Sequence, residues 1–232
     1  MTSIYIFVSA FKDSDGFGKI IFLLLFSVSF LSWFMLIFKA RQFFSIEKQM
    51  HLFLENFQKK EQSILEKTFL ESLTCSPLFH LYKNFKKCTI DLMDRNRKLD
   101  GVDIHFLSRS DVEMLSSFLD QKVLKESKSL EKNLFILSTS ISLAPFLGIL
   151  GTVWGLLVSL TGLGKGVSAL SNQVVMSGLS TALATTVIGL LIAIPALIGY
   201  NYLRAKAKEM TQSMLGFSAL LVHEVEMGFR RD

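Results

Sequence analysis

Residues Ile20 to Phe38 read IIFLLLFSVSFLSWFMLIF, nineteen consecutive positions without a charge, closed on both sides by Lys19 and Lys39. At about 1.5 Å of rise per residue the run covers roughly 28 Å, one hydrocarbon thickness of a bilayer. Two longer uncharged stretches follow, Asn133 to Gly164 and Gly166 to Leu203, with Lys165 alone between them. Backbone buried in lipid must satisfy its own hydrogen bonds, so runs of this length specify helices. The chain is thereby restricted to an all-α membrane protein. A cleaved leader would have an apolar core of about 7 to 15 residues followed by small residues, whereas Lys39, Ala40 and Arg41 follow here, so the first run reads as a retained anchor.

The divisions expected are 1–19, a short periplasmic N-terminus; 20–38, the first transmembrane helix; 39–133, a cytoplasmic helical region; 134–160, the second span; 161–173, a Gly- and Ser-rich periplasmic turn; 174–202, the third span; and 203–232, a cytoplasmic helical tail. Both later spans exceed about 20 residues, so they tilt or continue as helices into water. Residues 39–133 hold 17 Lys and Arg against 14 Asp and Glu, while residues 1–18 and the turn hold one Lys each. Arg204, Lys206 and Lys208 follow the third span directly. Basic segments stay in the cytoplasm, which places the N-terminus outside and the C-terminus inside. The net charge of +5 is then topological and needs no nucleic acid.

The water-exposed part has helical periodicity. Phe43, Ile46, Met50, Phe53 and Phe57 share one face; Leu78, Leu81, Phe85 and Leu92 share another after Ser76-Pro77, an N-cap followed by proline at the first helical position. A further helix is expected to open with a capping box at Ser110-x-x-Glu113 and to bury Val112, Leu115 and Leu119. Met210, Met214, Phe217, Leu221 and Val225 form the stripe of the tail. His51, His80, His105 and His223 lack metal-ligand spacing, and Cys75 and Cys88 have no second pair, so neither metal nor cofactor is expected and both thiols read as reduced. Phosphate loops, dinucleotide fingerprints and nucleophile elbows are missing as well, and nothing points to an enzyme.

The informative residues lie inside the membrane. Gly148, Gly151 and Gly155 make a smooth stripe on the second span, and Gly178, Ala182, Thr185, Gly189, Ala193 and Ala196 make another on the third. Helices in lipid lack a hydrophobic drive to associate, so such stripes mark close helix contact. Ser138, Ser142, Thr152 and Ser159 in one span and Ser177, Thr181, Thr185 and Thr186 in the other add hydroxyls able to line a narrow hydrated path. Pro145 and Pro195 each free a backbone carbonyl. No Asp, Glu, His or Arg lies in any span, so a chain moving protons this way must take its titrating group from another polypeptide.

The runs Ala144-Pro145-Phe146-Leu147-Gly148-Ile149-Leu150-Gly151-Thr152-Val153-Trp154-Gly155-Leu156 and Gly178-Leu179-Ser180-Thr181-Ala182-Leu183-Ala184-Thr185-Thr186-Val187-Ile188-Gly189-Leu190, closing on Ala193-Ile194-Pro195-Ala196 and Tyr200-Asn201, closely resemble the TolQ/ExbB/MotA family of proton-channel subunits. Ser32-Trp33, the short outer N-terminus and the chain length look most like its TolQ branch. The resemblance implies a bacterial inner-membrane protein forming a ring of five copies around a TolR-like or ExbD-like single-span partner with a membrane Asp. Proton passage would energise a TolA-like or TonB-like protein reaching across the envelope. It also implies that Thr152 and Thr186 line the path. Thr181 stands where TolQ and ExbB usually carry Glu, so any electrostatic role of that acid is absent or moved elsewhere. An ExbB-like role in TonB-dependent uptake and a non-conducting membrane scaffold are the alternatives. A flagellar stator fits less well, because four spans would be expected.

Overall fold

The computed structural model describes residues 2–59, 76–100, 107–163 and 169–229, with side chains over 7–59, 76–97, 107–163 and 172–229. Six helices follow in order: α1 (Thr2–Asp13), α2 (Gly16–Lys59), α3 (Pro77–Asp100), α4 (Arg109–Glu131), α5 (Leu134–Leu163) and α6 (Ala169–Phe229). No strand occurs among the described residues. Three of these helices, α2, α5 and α6, are long and apolar enough to cross a membrane. Helix α2 runs for 44 residues and α6 for 61 without a break, so neither Lys39 nor Leu203 marks a helix end. Helix α5 continues three residues past Leu160. Cys75, His105 and Lys165 lie outside the described residues.

The chain divides into two compact units, one made of Met1–Lys39 with Asn133–Tyr202 and one of Ala40–Lys132 with Leu203–Asp232. In the second unit the apolar stripes meet as a core. Phe53 and Phe57 pack edge-on against Phe217, with ring centroids 5.6 and 5.1 Å apart, and Tyr82 closes the group 6.0 Å from Phe57. Edge-to-face rings combine large buried area with favourable quadrupole alignment. Met210, Met214, Leu221 and Val225 are buried as their spacing requires, as are Leu78, Leu81, Phe85 and Leu92, whereas Ile46 is only half-buried. Burial pushes the Tyr82 hydroxyl up to about 12. It also raises the thiol of Cys88, a free cysteine, with the nearby Asp91 charge adding to that effect and Lys122 opposing it.

Two helix starts differ from the sequence expectation. The N-cap of α4 is Ser108, not Ser110: its hydroxyl accepts from the Asp111 backbone N–H at 3.2 Å, and the Asp111 carboxylate accepts from the Ser108 backbone N–H at 3.0 Å. Asp111 at the third helical position takes the part expected of Glu113, because its carboxylate is also tied to Asn96 and Arg95 of α3 at 2.8 and 2.9 Å. Glu113 instead sits exposed beside Arg109. At α3 the proline does stand first in the helix, but the Ser76 hydroxyl is buried without a partner, and only its carbonyl joins the helix by accepting from His80 N–H at 3.2 Å. Between α4 and α5, Asn133 adopts φ 69°, a left-handed conformation that Asn tolerates better than other residues with a Cβ.

The first unit contains α1, the first part of α2, α5 and the first part of α6. Residues 2–13, which the sequence places only as an outer segment, form a helix whose Ala10 is buried with Phe22 and Ala184. A second cluster joins Ile21, Leu25, Ala144, Ile192 and Ala193. Large apolar side chains point the other way: Phe26, Phe30, Phe146, Leu183 and Ile198 are exposed on this chain.

Candidate functional site

Helices α5 and α6 are locked together through glycine. A methyl group at Gly151 would lie 2.5 Å from the Thr185 Cβ, one at Gly155 would lie 2.8 Å from the Ala182 nitrogen, and one at Gly178 would lie 2.6 Å from the Gly155 carbonyl. Farther along, Gly148 faces Thr185 and Thr186, and Gly189 faces the Ala144 carbonyl, which a Cβ would meet at 2.6 Å. Backbones this close leave no room for any side chain, which is why small residues recur at these positions. Pro145 interrupts the hydrogen-bond ladder of α5 beside Ala144, and Pro195 does the same in α6 beside Ala196, both alanines being buried. Each proline lacks the N–H that would bond the carbonyl four residues back, Ile141 and Leu191 respectively.

The close approach also organises the hydroxyls. Thr186 is half-buried and donates to the Gly148 carbonyl of α5 at 3.2 Å. Ser159 donates to Gly155 in its own helix and lies 3.0 Å from the Val175 carbonyl of α6. Thr185 is wholly buried, bonding back to Thr181 and Ala182 at 3.0 Å. Thr152 is half-buried and bonds back to the Ile149 carbonyl at 2.6 Å, leaving its lone pairs as the polar face it offers outward. Ser138 and Ser142 are exposed on this chain, away from the α5–α6 seam.

Thr181 behaves differently. It is 2% exposed, and its hydroxyl has no hydrogen-bond partner, although Ser and Thr in helices ordinarily bond back to their own turn. Within the first unit it is the one buried side-chain oxygen or nitrogen so placed among the described residues. Gly18 approaches it from α2, where a Cβ would stand 3.3 Å from the Thr181 methyl carbon.

The turn between α1 and α2, which sequence reasoning passed over, reaches the same seam. Asp15 caps α2 by accepting from Gly18 N–H at 3.0 Å, and its other oxygen accepts from the Trp154 indole N–H of α5 at 2.9 Å. Phe17 rests against the Trp154 ring, with centroids 4.4 Å apart. The pattern Asp13-Ser14-Asp15-Gly16 was the available signal, since Asp before Gly and an apolar run is helix-start chemistry. Its contact with Trp154 spans 139 positions and leaves no local trace.

The model of the MotA/TolQ/ExbB proton channel family matches residues 90–215, more than half of the chain and the whole α5–α6 seam. The chain belongs to that family. Among curated proteins it is similar to the biopolymer transport protein ExbB of Aquifex aeolicus, 43% identical over 83 residues that cover 35% of this chain and 55% of the relative. An ExbB of Xanthomonas campestris pv. campestris is 42% identical over 96 residues, 41% of this chain and 37% of the relative. The Tol-Pal system protein TolQ of Haemophilus influenzae is 37% identical over 93 residues, 40% of each chain. The chain thus spans from just over a third to just over half the length of these relatives. Helix α1 and all of α2 fall outside the family match.

Proposed function

We propose that this chain is a TolQ-like proton-channel and motor subunit of a bacterial inner membrane, with its N-terminus periplasmic and its C-terminus cytoplasmic. In this reading a ring of copies, five in number, surrounds a TolR-like or ExbD-like single-span partner whose membrane Asp takes up and releases protons. The cycle energises a TolA-like or TonB-like protein spanning the envelope. The observation that carries the proposal is the α5–α6 seam: two helices zipped by glycine, supplied with hydroxyls, and without Asp, Glu, His, Lys or Arg over 134–164 and 166–203. Hydroxyls relay hydrogen bonds but hold no proton near neutral pH, and Asp15 belongs to the α1–α2 turn, so in this reading an acid within the spans comes from a second chain.

Thr152 and Thr186 are the path-lining residues in this reading, with Thr181 beside them on α6. The glycines at 148, 151, 155, 178 and 189 and the prolines at 145 and 195 set the spacing and bends of the walls. The test is proton flux in vesicles containing the chain and the single-span Asp-bearing protein that co-purifies with it. Thr186→Val is expected to lower flux about fivefold, the scale of one lost neutral hydrogen bond, while native mass spectrometry still finds the ring. Full flux from an intact ring would overturn the role given to Thr186, and dissolution of the ring would reassign it to packing. A ring without an Asp-bearing partner would favour a scaffold.

A further inference from the structure

We infer that the first unit holds a site for an anionic phospholipid, with an acyl chain in an apolar cavity between α1, α2 and α6 and the phosphate between Lys12 and Lys19. The cavity has a volume of about 600 Å³ and is walled by Phe7 and Val8 of α1, Phe22 and Phe26 of α2, and Ile188 and Leu191 of α6. It exists because α1 turns back along α2: Phe11 meets Phe22 edge-on with ring centroids 5.8 Å apart, and Ala10 is buried with Phe22 and Ala184. The α2 and α6 walls fall inside the uncharged runs 20–38 and 166–203, and α1 carries no charged side chain before Lys12. The cavity therefore lies at hydrocarbon depth, and its rim is open where Leu23, Phe26 and Leu191 are more than half exposed.

Size and polarity select the occupant. Water is excluded, because Ser29 is the one polar side chain of the lining and a buried water needs about two to four polar partners. A protein helix is too thick: at about 10 Å across and about 1.5 Å of rise it takes up about 120 Å³ per residue, so the space admits about five residues, less than two turns. An acyl chain is narrow and flexible, and every methylene it buries adds to its hold. Left empty, the cavity would forfeit dispersion contacts along all three walls. The charges mark the other end of the ligand. Lys12 follows Val8 by one turn on α1, and Lys19 precedes Phe22 and Leu23 by one turn on α2, so two cations stand at the end of the cavity nearest the α1–α2 turn. Neither has an ion-pair partner within 4.0 Å among the described residues. The acids of that turn are engaged elsewhere: Asp15 with Gly18 and Trp154, Asp13 with Ser9, and both line a separate cavity beside Gly155 and Ser177. Two free ammonium groups one turn beyond an apolar cleft match a phosphodiester at the head of an acyl chain. The site rests on the apolar spans and not on the proton function proposed above.

The test places the full chain in nanodiscs of dioleoyl phosphatidylcholine with dioleoyl phosphatidylglycerol as the minor lipid, then releases and weighs it by native mass spectrometry. A single phosphatidylglycerol per chain is expected to survive release, in preference to phosphatidylcholine of the same acyl chains. Ser29→Trp, which puts an indole into the cavity, is expected to remove it. Lys12→Gln and Lys19→Gln are each expected to weaken retention about fivefold, the scale of a single lysine facing an anionic headgroup. Phe30→Trp adds the same bulk at an exposed position of α2 outside the cavity and should change nothing. Circular dichroism reports whether Ser29→Trp folds, and the lysine substitutions test the site even where it does not. Equal retention of the two lipids, unmoved by Lys12→Gln and Lys19→Gln, would overturn the phosphate site. Lipid retained by folded Ser29→Trp, or lost equally from Phe30→Trp, would overturn the cavity as its seat. A ring that dissolves in Ser29→Trp while the lipid stays would give the cavity to a second copy instead. The proposed function fails separately, by absence of flux with the partner present, whatever lipid is found.

Discussion

The two units pack by opposite rules. In the unit of residues 40–132 and 203–232 the large side chains are inside, with Phe53 and Phe85 wholly buried and Phe57 and Phe217 nearly so. In the unit of residues 1–39 and 133–202 the seam is glycine, alanine and threonine, while Phe26 and Phe146 stay about 70% exposed at 74% and 68%. Water rewards burial of bulk, so a helix facing water turns its largest apolar groups inward. Lipid gives no such reward, and helices there gain from contact only by coming close, which requires small residues. The same kind of helix, continuous through α6, thus follows two packing rules along its length.

That contrast can be broken most severely at the seam. Gly151→Leu places a branched side chain on Thr185 and is expected to cost more than about 4 kcal/mol, in the range reserved for gross overpacking; loss of the native particle in detergent-stability assays checks it. Leu183→Ala, on an exposed position of the same unit, should change little. In the aromatic unit the sign with size reverses: Phe53→Ala is expected to cost about 3 to 5 kcal/mol through the cavity it leaves, measured by thermal or denaturant unfolding of the full chain.

A smaller effect comes from Asp111. Its burial would raise its pKa, but hydrogen bonds from Asn96 and Ser108 and the charge of Arg95 outweigh this and hold the carboxyl below its ordinary value. A carboxyl lowered in the folded state contributes fully above its unfolded pKa of about 3.9 and loses that contribution as pH falls through the folded value. Stability should therefore decline below about pH 4, and Asp111→Asn should flatten that decline while costing about 1 to 3 kcal/mol near neutrality. The smallest effect is local: Asn133→Ile should cost about 1 kcal/mol by forcing a β-branched residue to positive φ, and Asn133→Gly should be nearly neutral, both read from unfolding midpoints.

Much of this was legible in the residues. Uncharged length announced membrane helices because lipid permits little else, and 3.6-residue periodicity placed Met210, Met214, Phe217, Leu221 and Val225 on the buried face. The glycine stripes announced a close contact because no other residue tolerates one. Capping was misplaced by two residues, since Ser108 and Ser110 are both acceptable caps in isolation. Only the bonds from Asn96 and Arg95 on a different helix select Asp111, and with it Ser108. The contact of Asp15 with Trp154 was hidden for a similar reason: it joins positions 139 apart, and Thr181 reads in the sequence as one hydroxyl among several.

By itself, then, the sequence determined what depends on neighbours along the chain or on the surrounding solvent: helix type, the apolar faces, the membrane runs and the positions where only glycine fits. Tertiary structure decided which hydroxyls bond back and which stay unpartnered, which serine caps α4, and that a turn near residue 14 closes on residues 154 and 181. Those outcomes depend on distances between segments that lie from 15 to 139 positions apart in the chain, and side-chain periodicity carries no record of such distances.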